Sequence, residues 1–262
     1  MADDYGLGGK VAVITGAGGD VGSATAVLFA ERGASVVAVD RDAAKLKALE
    51  GRMPAGSKFI TVTADVTNED SVAGYVKAAK DKFGRIDIFF NNAGIEGSKT
   101  GAWALTTDLS LEDFNEILSV NMTGVFLGLK HVIPVMADGG GGAICNTASI
   151  NGIRGNRGQI AYVASKHAVV SMTQVTSKEY ASKAIRVNCI APGGIKGRMM
   201  TDFVQIIQAN RPADETPPPR PSALARMADP REIAGLVGFL CSDEATYITG
   251  ATYSVDGGLS AR

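Results

Sequence analysis

Tyr162 and Lys166 stand four residues apart in the run Tyr162-Val163-Ala164-Ser165-Lys166. On a helix that spacing puts both side chains on one face, about one turn apart. A free tyrosine titrates near ~10, too high for a proton shuttle at neutral pH, and a neighbouring ammonium favours the phenolate. Lowering that value by roughly two to three units asks for about 3–4 kcal/mol of differential interaction. The pair is expected to form a tunable acid/base in which Lys166 depresses Tyr162. Ser149 closes an apolar run just ahead of a glycine-rich loop, where it would hold the oxygen whose proton moves. Redox chemistry needs an electron acceptor as well, and the elements around these residues suggest one.

The turn Thr15-Gly16-Ala17-Gly18-Gly19-Asp20-Val21-Gly22 follows an apolar run at 10–15 and opens a helical pattern at 23–32. A helix N-terminus offers unpaired N–H groups and partial positive charge, which suit a pyrophosphate. Glycines let the backbone approach the phosphates and let the helix pack on the strand. The pattern reads T-G-x-x-x-D-x-G rather than G-x-G-x-x-G, so its strand–turn–helix context carries the reading over that of a plain structural turn. Asp40 ends the next apolar run, 35–39. An acid there accepts hydrogen bonds from ribose hydroxyls and repels a 2′-phosphate, which favours NAD over NADP. Arg41 beside it pulls the other way, and we give Asp40 the greater weight.

Further apolar runs at 58–62, 86–90, 143–147, 185–190 and 251–255 predict the remaining strands. Helical patterns at 42–50, 69–82, 110–136 and 162–183, and one opening at Asp229-Pro230, alternate with them. Residues 95–109, which include Trp103, read as a loop, and 195–226 as irregular, with Pro217-Pro218-Pro219 unable to sit inside a helix. Alternation of this kind implies an α/β fold with a doubly wound parallel sheet and helices on both faces. No composition break divides residues 1–262, so a single domain is expected. Asn121 lies mid-helix despite poor helix propensity, which points to a kink or a bound water. Behind Lys166 it would serve a proton relay; a buried amide satisfying backbone is the alternative. His131 and His167 read as ordinary, partly buried histidines.

The 262 residues carry a formal net charge of -1 without long runs of one sign, which argues against nucleic acid or an anionic membrane surface as partner. No apolar stretch reaches the roughly 18 residues of a membrane span. Cys145, Cys189 and Cys241 are the only cysteines, an odd and sparse set that fits reduced thiols and a cytoplasmic location. With two histidines and no Cys/His cluster, no metal site is expected.

Thr15-Gly16…Gly22, Asp65-Val66, Asn91-Asn92-Ala93-Gly94, Asn121, Ser149, Tyr162-x-x-x-Lys166, Pro192-Gly193 and Asp256-Gly257-Gly258 occur in the order and approximate spacing of the short-chain dehydrogenase/reductase family. The resemblance covers about residues 8–258. It implies a Rossmann-type fold of about seven strands in the order 3-2-1-4-5-6-7. It also implies hydride transfer between a nicotinamide cofactor, here NAD, and a secondary alcohol or ketone, in a homotetramer. Tyr162 would be the general acid/base and Ser149 would hold the substrate oxygen. Lys166 would tune Tyr162 and bind the nicotinamide ribose, and Asn121 would anchor a water relay. The cofactor would meet Gly16, Asp20, Val21, Gly22, Asp40, Asp65, Val66, Asn92, Ala93, Gly94, Tyr162, Lys166, Pro192, Gly194 and Ile195. Polyol, cyclic-alcohol and steroid-like substrates are the leading expectation. A 3-oxoacyl carrier-protein reductase and a catalytically silent NAD-binding protein are the alternatives. Two positions depart from the family pattern: Asp20 replaces its middle glycine, and Gly197 stands where it often has threonine. Residues 195–226 fill the family's mobile substrate loop and are expected to form an apolar lid.

Overall fold

The computed structural model describes residues 5–97, 103–210 and 222–261. Seven strands make one sheet: β1 (Val11–Thr15), β2 (Ser35–Asp40), β3 (Phe59–Thr63), β4 (Ile88–Asn91), β5 (Gly142–Thr147), β6 (Ile185–Pro192) and β7 (Thr252–Val255). Their order is β3-β2-β1-β4-β5-β6-β7, as the resemblance implied, and every pairing is parallel. Central strands of such a sheet are covered on both faces and so read as continuous apolar runs. VAVIT of β1 is buried throughout.

Side chains alternate between the two faces. Val13, Val37, Phe89, Ile144 and Val187 enter one core with Tyr75, Val132 and Val169. Ala12, Ile14, Val36, Ile88 and Phe90 enter the other with Phe29, Leu46, Ile233 and Leu240. Full burial of a side chain such as Phe89 or Phe90 contributes roughly 1.5–3 kcal/mol, so both layers hold the sheet strongly. The first core packs against α3 (Glu69–Phe83), α5 (Gly124–Asp138) and α6 (Ile160–Tyr180), the second against α1 (Asp20–Glu31), α2 (Ala43–Glu50) and α8 (Pro230–Cys241). α4 (Leu111–Leu118) precedes α5, and α7 (Arg198–Asn210) follows β6.

Local chemistry sets the helix ends. Ser110 Oγ accepts from Asp113 N at 3.0 Å to start α4. Asp229 caps α8 in a capping box with Glu232, and Pro230 occupies the first turn. The long helix after Ser110 is not uniform: residues Ser119–Thr123, centred on Asn121, form a π-turn between α4 and α5. α4, the π-turn and α5 make a continuous Leu111–Asp138 helix long and apolar enough to meet the length and composition of a membrane span. Half of its apolar 18-residue window is buried inside the protein, as in a core helix.

Residues 195–226 differ from the irregular segment expected: Arg198–Asn210 is helical. The prolines that argued against helix lie beyond this stretch, and Pro217-Pro218-Pro219 falls outside the described residues.

The sheet places Thr15, Asp40, Asn91, Thr147 and Pro192 at the carboxyl ends of their strands. The direction of winding reverses between β1 and β4. A crevice at such a switch point is where ligands bind in open parallel sheets.

Candidate active site

α6 carries Tyr162 and Lys166 past the carboxyl end of β5. The Lys166 Nζ is buried, donates to Thr147 O at 2.9 Å and lies 5.6 Å from the centroid of the Tyr162 ring. Ser149 leaves β5 and starts a short 3-10 turn, Ile150–Gly152. Asn151 N donates to Ser149 Oγ at 3.1 Å, which occupies one lone pair and leaves the hydroxyl proton for another acceptor.

Asn121 is fully buried behind this pair. Its Oδ1 accepts from Ile95 N at 2.8 Å, and its Nδ2 donates to Ile95 O at 2.8 Å and Ser165 Oγ at 3.2 Å. Asn121 therefore clamps the segment after β4 to α6. The amide satisfies backbone, as the second reading of Asn121 expected, and the helix deforms around it. A π-turn leaves a main-chain carbonyl without its usual i+4 partner.

Electrostatics correct one expectation. Burial pushes the Tyr162 phenol well above its ordinary value; Glu96 adds to this, and the Ser149 hydroxyl opposes it. The Lys166 ammonium donates to the Thr147 carbonyl at 2.9 Å. Burial also lowers Lys166, to about 8, against the pull of Glu96 and Cys189. Glu96 is the residue that sequence reasoning missed. It follows the clamped Ile95 and is pushed up to about 7 by burial, against Lys166 and with Asp202 adding to the shift. Its signal was a lone carboxylate directly after Asn91-Asn92-Ala93-Gly94-Ile95.

The residues expected to meet the cofactor lie at the carboxyl ends of the same strands. At Gly22 a Cβ would stand 2.1 Å from Gly16 O, so only glycine lets α1 close on the turn. Asp40 Oδ2 accepts from Gly18 N at 2.9 Å and Oδ1 from Asp42 N at 3.0 Å, which fixes the carboxylate under the turn. Each oxygen keeps a second lone pair for a hydroxyl. Thr15 Oγ1 accepts from Asn92 N at 2.9 Å and Ala93 N at 3.1 Å, and Thr147 Oγ1 donates to Asn92 Oδ1 at 3.2 Å. These bonds tie Asn92, Ala93 and Gly94 between β1 and β5. Asp65 is exposed, and its Oδ1 accepts from Thr67 N and Oγ1; Val66 lies against Gly124 on α5. Pro192 ends β6, Gly194 O accepts from Ala228 N at 2.9 Å, and Ile195 bridges to Ala228. Asp20 Oδ2 accepts from Arg198 N at 3.0 Å, which holds this carboxylate against α7. A dinucleotide fits this cradle, since the turn needs glycine where helix and strand meet and its one acid is held elsewhere.

The 150–161 loop holds a polar chain in which Asn151 Nδ2 and Asn156 Nδ2 donate to Gln159 Oε1 at 2.8 and 2.5 Å. Asn151 Oδ1 is buried without a protein partner. Trp103 packs over Gly158, and Ala104 N donates to Gly158 O at 2.9 Å. His167 is exposed rather than partly buried, because α6 turns it away from the sheet; His131 is half-buried beside Glu69 at 2.9 Å. Among the described residues, no three His, Cys, Asp or Glu side chains group as a metal site.

The protein-family profile described as Enoyl-(Acyl carrier protein) reductase matches residues 16–260. Levodione reductase of Leifsonia aquatica is 40% identical over 96% of this chain and 94% of its own length. A crystal structure of levodione reductase superposes with a TM-score of 0.90 at 39% identity, covering 97% of this chain and 98% of that one. Cyclohexanol dehydrogenase of Acinetobacter sp. is 36% identical over 97% of this chain and 96% of its own. The 3-ketoacyl-(acyl-carrier-protein) reductase of Brucella melitensis, solved in complex with NADH, gives a TM-score of 0.85 at 36% identity, covering 97% and 99% of the two chains. Sequence order, sheet order and site geometry agree, and the chain belongs to the short-chain dehydrogenase/reductase family.

Proposed function

We propose that this protein is an NAD(H)-dependent oxidoreductase that moves a hydride between the nicotinamide and a cyclic secondary alcohol or its ketone. The observation that carries the reading is the convergence of Ser149, Tyr162, Lys166 and Asn121 on the crevice that also holds the Gly16–Gly22 turn and Asp40. Cyclic substrates are favoured over the wider set of polyols and steroid-like alcohols by the likeness to levodione reductase and cyclohexanol dehydrogenase. NAD is favoured by Asp40, fixed where a ribose would lie, and by the NADH-bound relative.

NAD, when bound, would supply the hydride acceptor. Ser149 donates its hydroxyl proton to the substrate oxygen and so orients the carbinol. Tyr162 takes the carbinol proton in oxidation and returns it in reduction, a role worth roughly 10²–10⁴-fold in rate. Lys166, lowered to about 8, exchanges protons near neutral pH, and we assign it the next place in the relay. The π-turn at Asn121 anchors the outlet to solvent through its main chain. Burial keeps the Tyr162 phenol protonated near neutral pH, the form that can return a proton to the substrate oxygen in reduction.

We read residues 1–262 as one catalytic unit in which α7, the described helix of the 195–226 segment, lies on the substrate side. A homotetramer is supported by the exposed apolar side chains Leu111, Phe126, Ile160 and Val175 on the 111–138 and 160–180 helices. Free, buried Cys145, Cys189 and Cys241 fit a reducing cytoplasm.

A 3-oxoacyl carrier-protein reductase is the second reading, supported by the likeness to a ketoacyl reductase solved in complex with NADH. The test is a nucleotide titration followed by turnover of cyclohexanols, cyclic diketones and a 3-oxoacyl thioester. Saturable NAD binding with turnover of the cyclic substrates is expected. Thioester reduction alone would favour the second reading, and NAD binding without turnover of any would return the protein to a silent nucleotide-binding role.

A further inference from the structure

The two departures from the family pattern touch each other. Asp20 opens α1 on the glycine turn, and Gly197 immediately precedes α7. Asp20 Oδ2 accepts from Arg198 N at 3.0 Å. A Cβ at Gly197 would lie 2.1 Å from that same Oδ2 and 2.5 Å from Asp20 Cγ. Gly197 also holds a φ of +150°, which side-chain-bearing residues rarely adopt. A threonine at 197 and this placement of Asp20 are thus sterically exclusive, and the two changes are one structural feature.

Arg198 N is among the first N–H groups of α7, which have no partner within their own helix. The carboxylate satisfies one of them and complements the positive end of the helix. Thr201 Oγ1 and N both bond Gly197 O, at 3.1 and 3.2 Å, closing the same turn. Farther along α7, the exposed Asp202 adds to the upward shift of Glu96, so the same helix also faces the segment after β4.

We propose that Asp20 is a positioning residue that fastens α7 to the glycine turn, so that seating the cofactor and closing α7 over the substrate are linked. The linkage rests on the NAD reading above; the fastening does not. A pyrophosphate at the α1 N-terminus repels a carboxylate on the same turn. The Arg198 amide is the position that keeps Asp20 away from it. Occupancy of the turn therefore raises the fraction of molecules in which Asp20 holds α7. Coupling of two events through such a shared element is reciprocal.

Residue-resolved amide hydrogen exchange on the full chain, with and without NAD, tests this in wild type, Asp20→Asn and Asp20→Gly. Asparagine keeps the acceptor without the charge; glycine removes both, and the exposed site makes either substitution compatible with folding. Without nucleotide, the Arg198 amide is expected to be protected in wild type and Asp20→Asn and to exchange about fivefold faster in Asp20→Gly, the scale of a lost helix cap. With NAD, exchange at that amide slows further in wild type, slows less in Asp20→Asn and does not respond in Asp20→Gly. Equal exchange at Arg198 in nucleotide-free wild type and Asp20→Gly would overturn the fastening. NAD binding that leaves the wild-type amide unchanged would overturn the linkage. A wild type that binds no NAD would instead overturn the functional reading together with the linkage, while the nucleotide-free comparison still decides the fastening.

Discussion

Asn121→Ala removes the clamp between α6 and the segment that follows β4. The side chain is fully buried and makes three hydrogen bonds, at 2.8 Å from Ile95 N, 2.8 Å to Ile95 O and 3.2 Å to Ser165 Oγ. Each is worth about 1 kcal/mol net, and truncation also strands the Ile95 amide and carbonyl in the interior. We therefore expect about 3 kcal/mol of destabilisation, which lowers Tm by roughly 6–10 °C for a chain of this size. Relief of the π-turn to ordinary helix returns only part of that, because the missing partners of Ile95 remain missing. Thermal denaturation measures the loss, and amide exchange at Ile95 locates it. Asn121→Asp keeps the acceptor for Ile95 N but loses both donors, so a smaller rise in Ile95 exchange is expected. A loss under about 1 kcal/mol with Ile95 exchange unchanged would refute the clamp.

Three other outcomes follow from the site. Asp40→Ala should raise the NADP-to-NAD preference by roughly tenfold, the scale of one lost repulsion between close charges; fluorescence titration with both nucleotides checks it, and an unchanged ratio counts against Asp40 as the ribose residue. Gly22→Ala places a Cβ 2.1 Å from Gly16 O and should abolish detectable NAD binding while circular dichroism stays near wild type; retained affinity would mean that the turn is not the phosphate cradle. Glu96 ionises at about 7 in the folded protein, above the carboxyl's ordinary 4.5, so the folded state holds its proton when the unfolded chain has lost it. Stability from this group is full below the unfolded value and declines as pH rises toward about 7. Glu96→Gln should flatten that decline in denaturation curves taken across the window, whereas parallel curves for both proteins would contradict the buried acid.

The sheet was legible because its strands are buried on both faces and announce themselves as unbroken apolar runs, as at VAVIT of β1. The caps at Ser110 and Asp229 were legible because they are local. Helix α7 was not: its N-terminal anchor is Asp20, 178 residues away in sequence. The same contact explains why Asp20 and Gly197 read as two unrelated departures. Asn121 pointed correctly to a deformed helix, yet its partner Ile95 lies on another element. Spacing put Tyr162 and Lys166 on one face, but the sign of the Tyr162 shift depends on burial, Glu96 and the Ser149 hydroxyl. Charge balance inside a site is a property of three-dimensional neighbours.

The central claim is that Tyr162 handles the proton of an alcohol whose hydride passes to NAD. A single-turnover reaction with cyclohexanol deuterated at the carbinol carbon, run in wild type and Tyr162→Phe, tests it most directly. Deuterium should appear in the NADH formed by wild type. Tyr162→Phe should transfer it roughly 10²–10⁴-fold more slowly while NAD affinity stays within about twofold. NADH that carries no deuterium, or transfer by Tyr162→Phe at the wild-type rate, would contradict it.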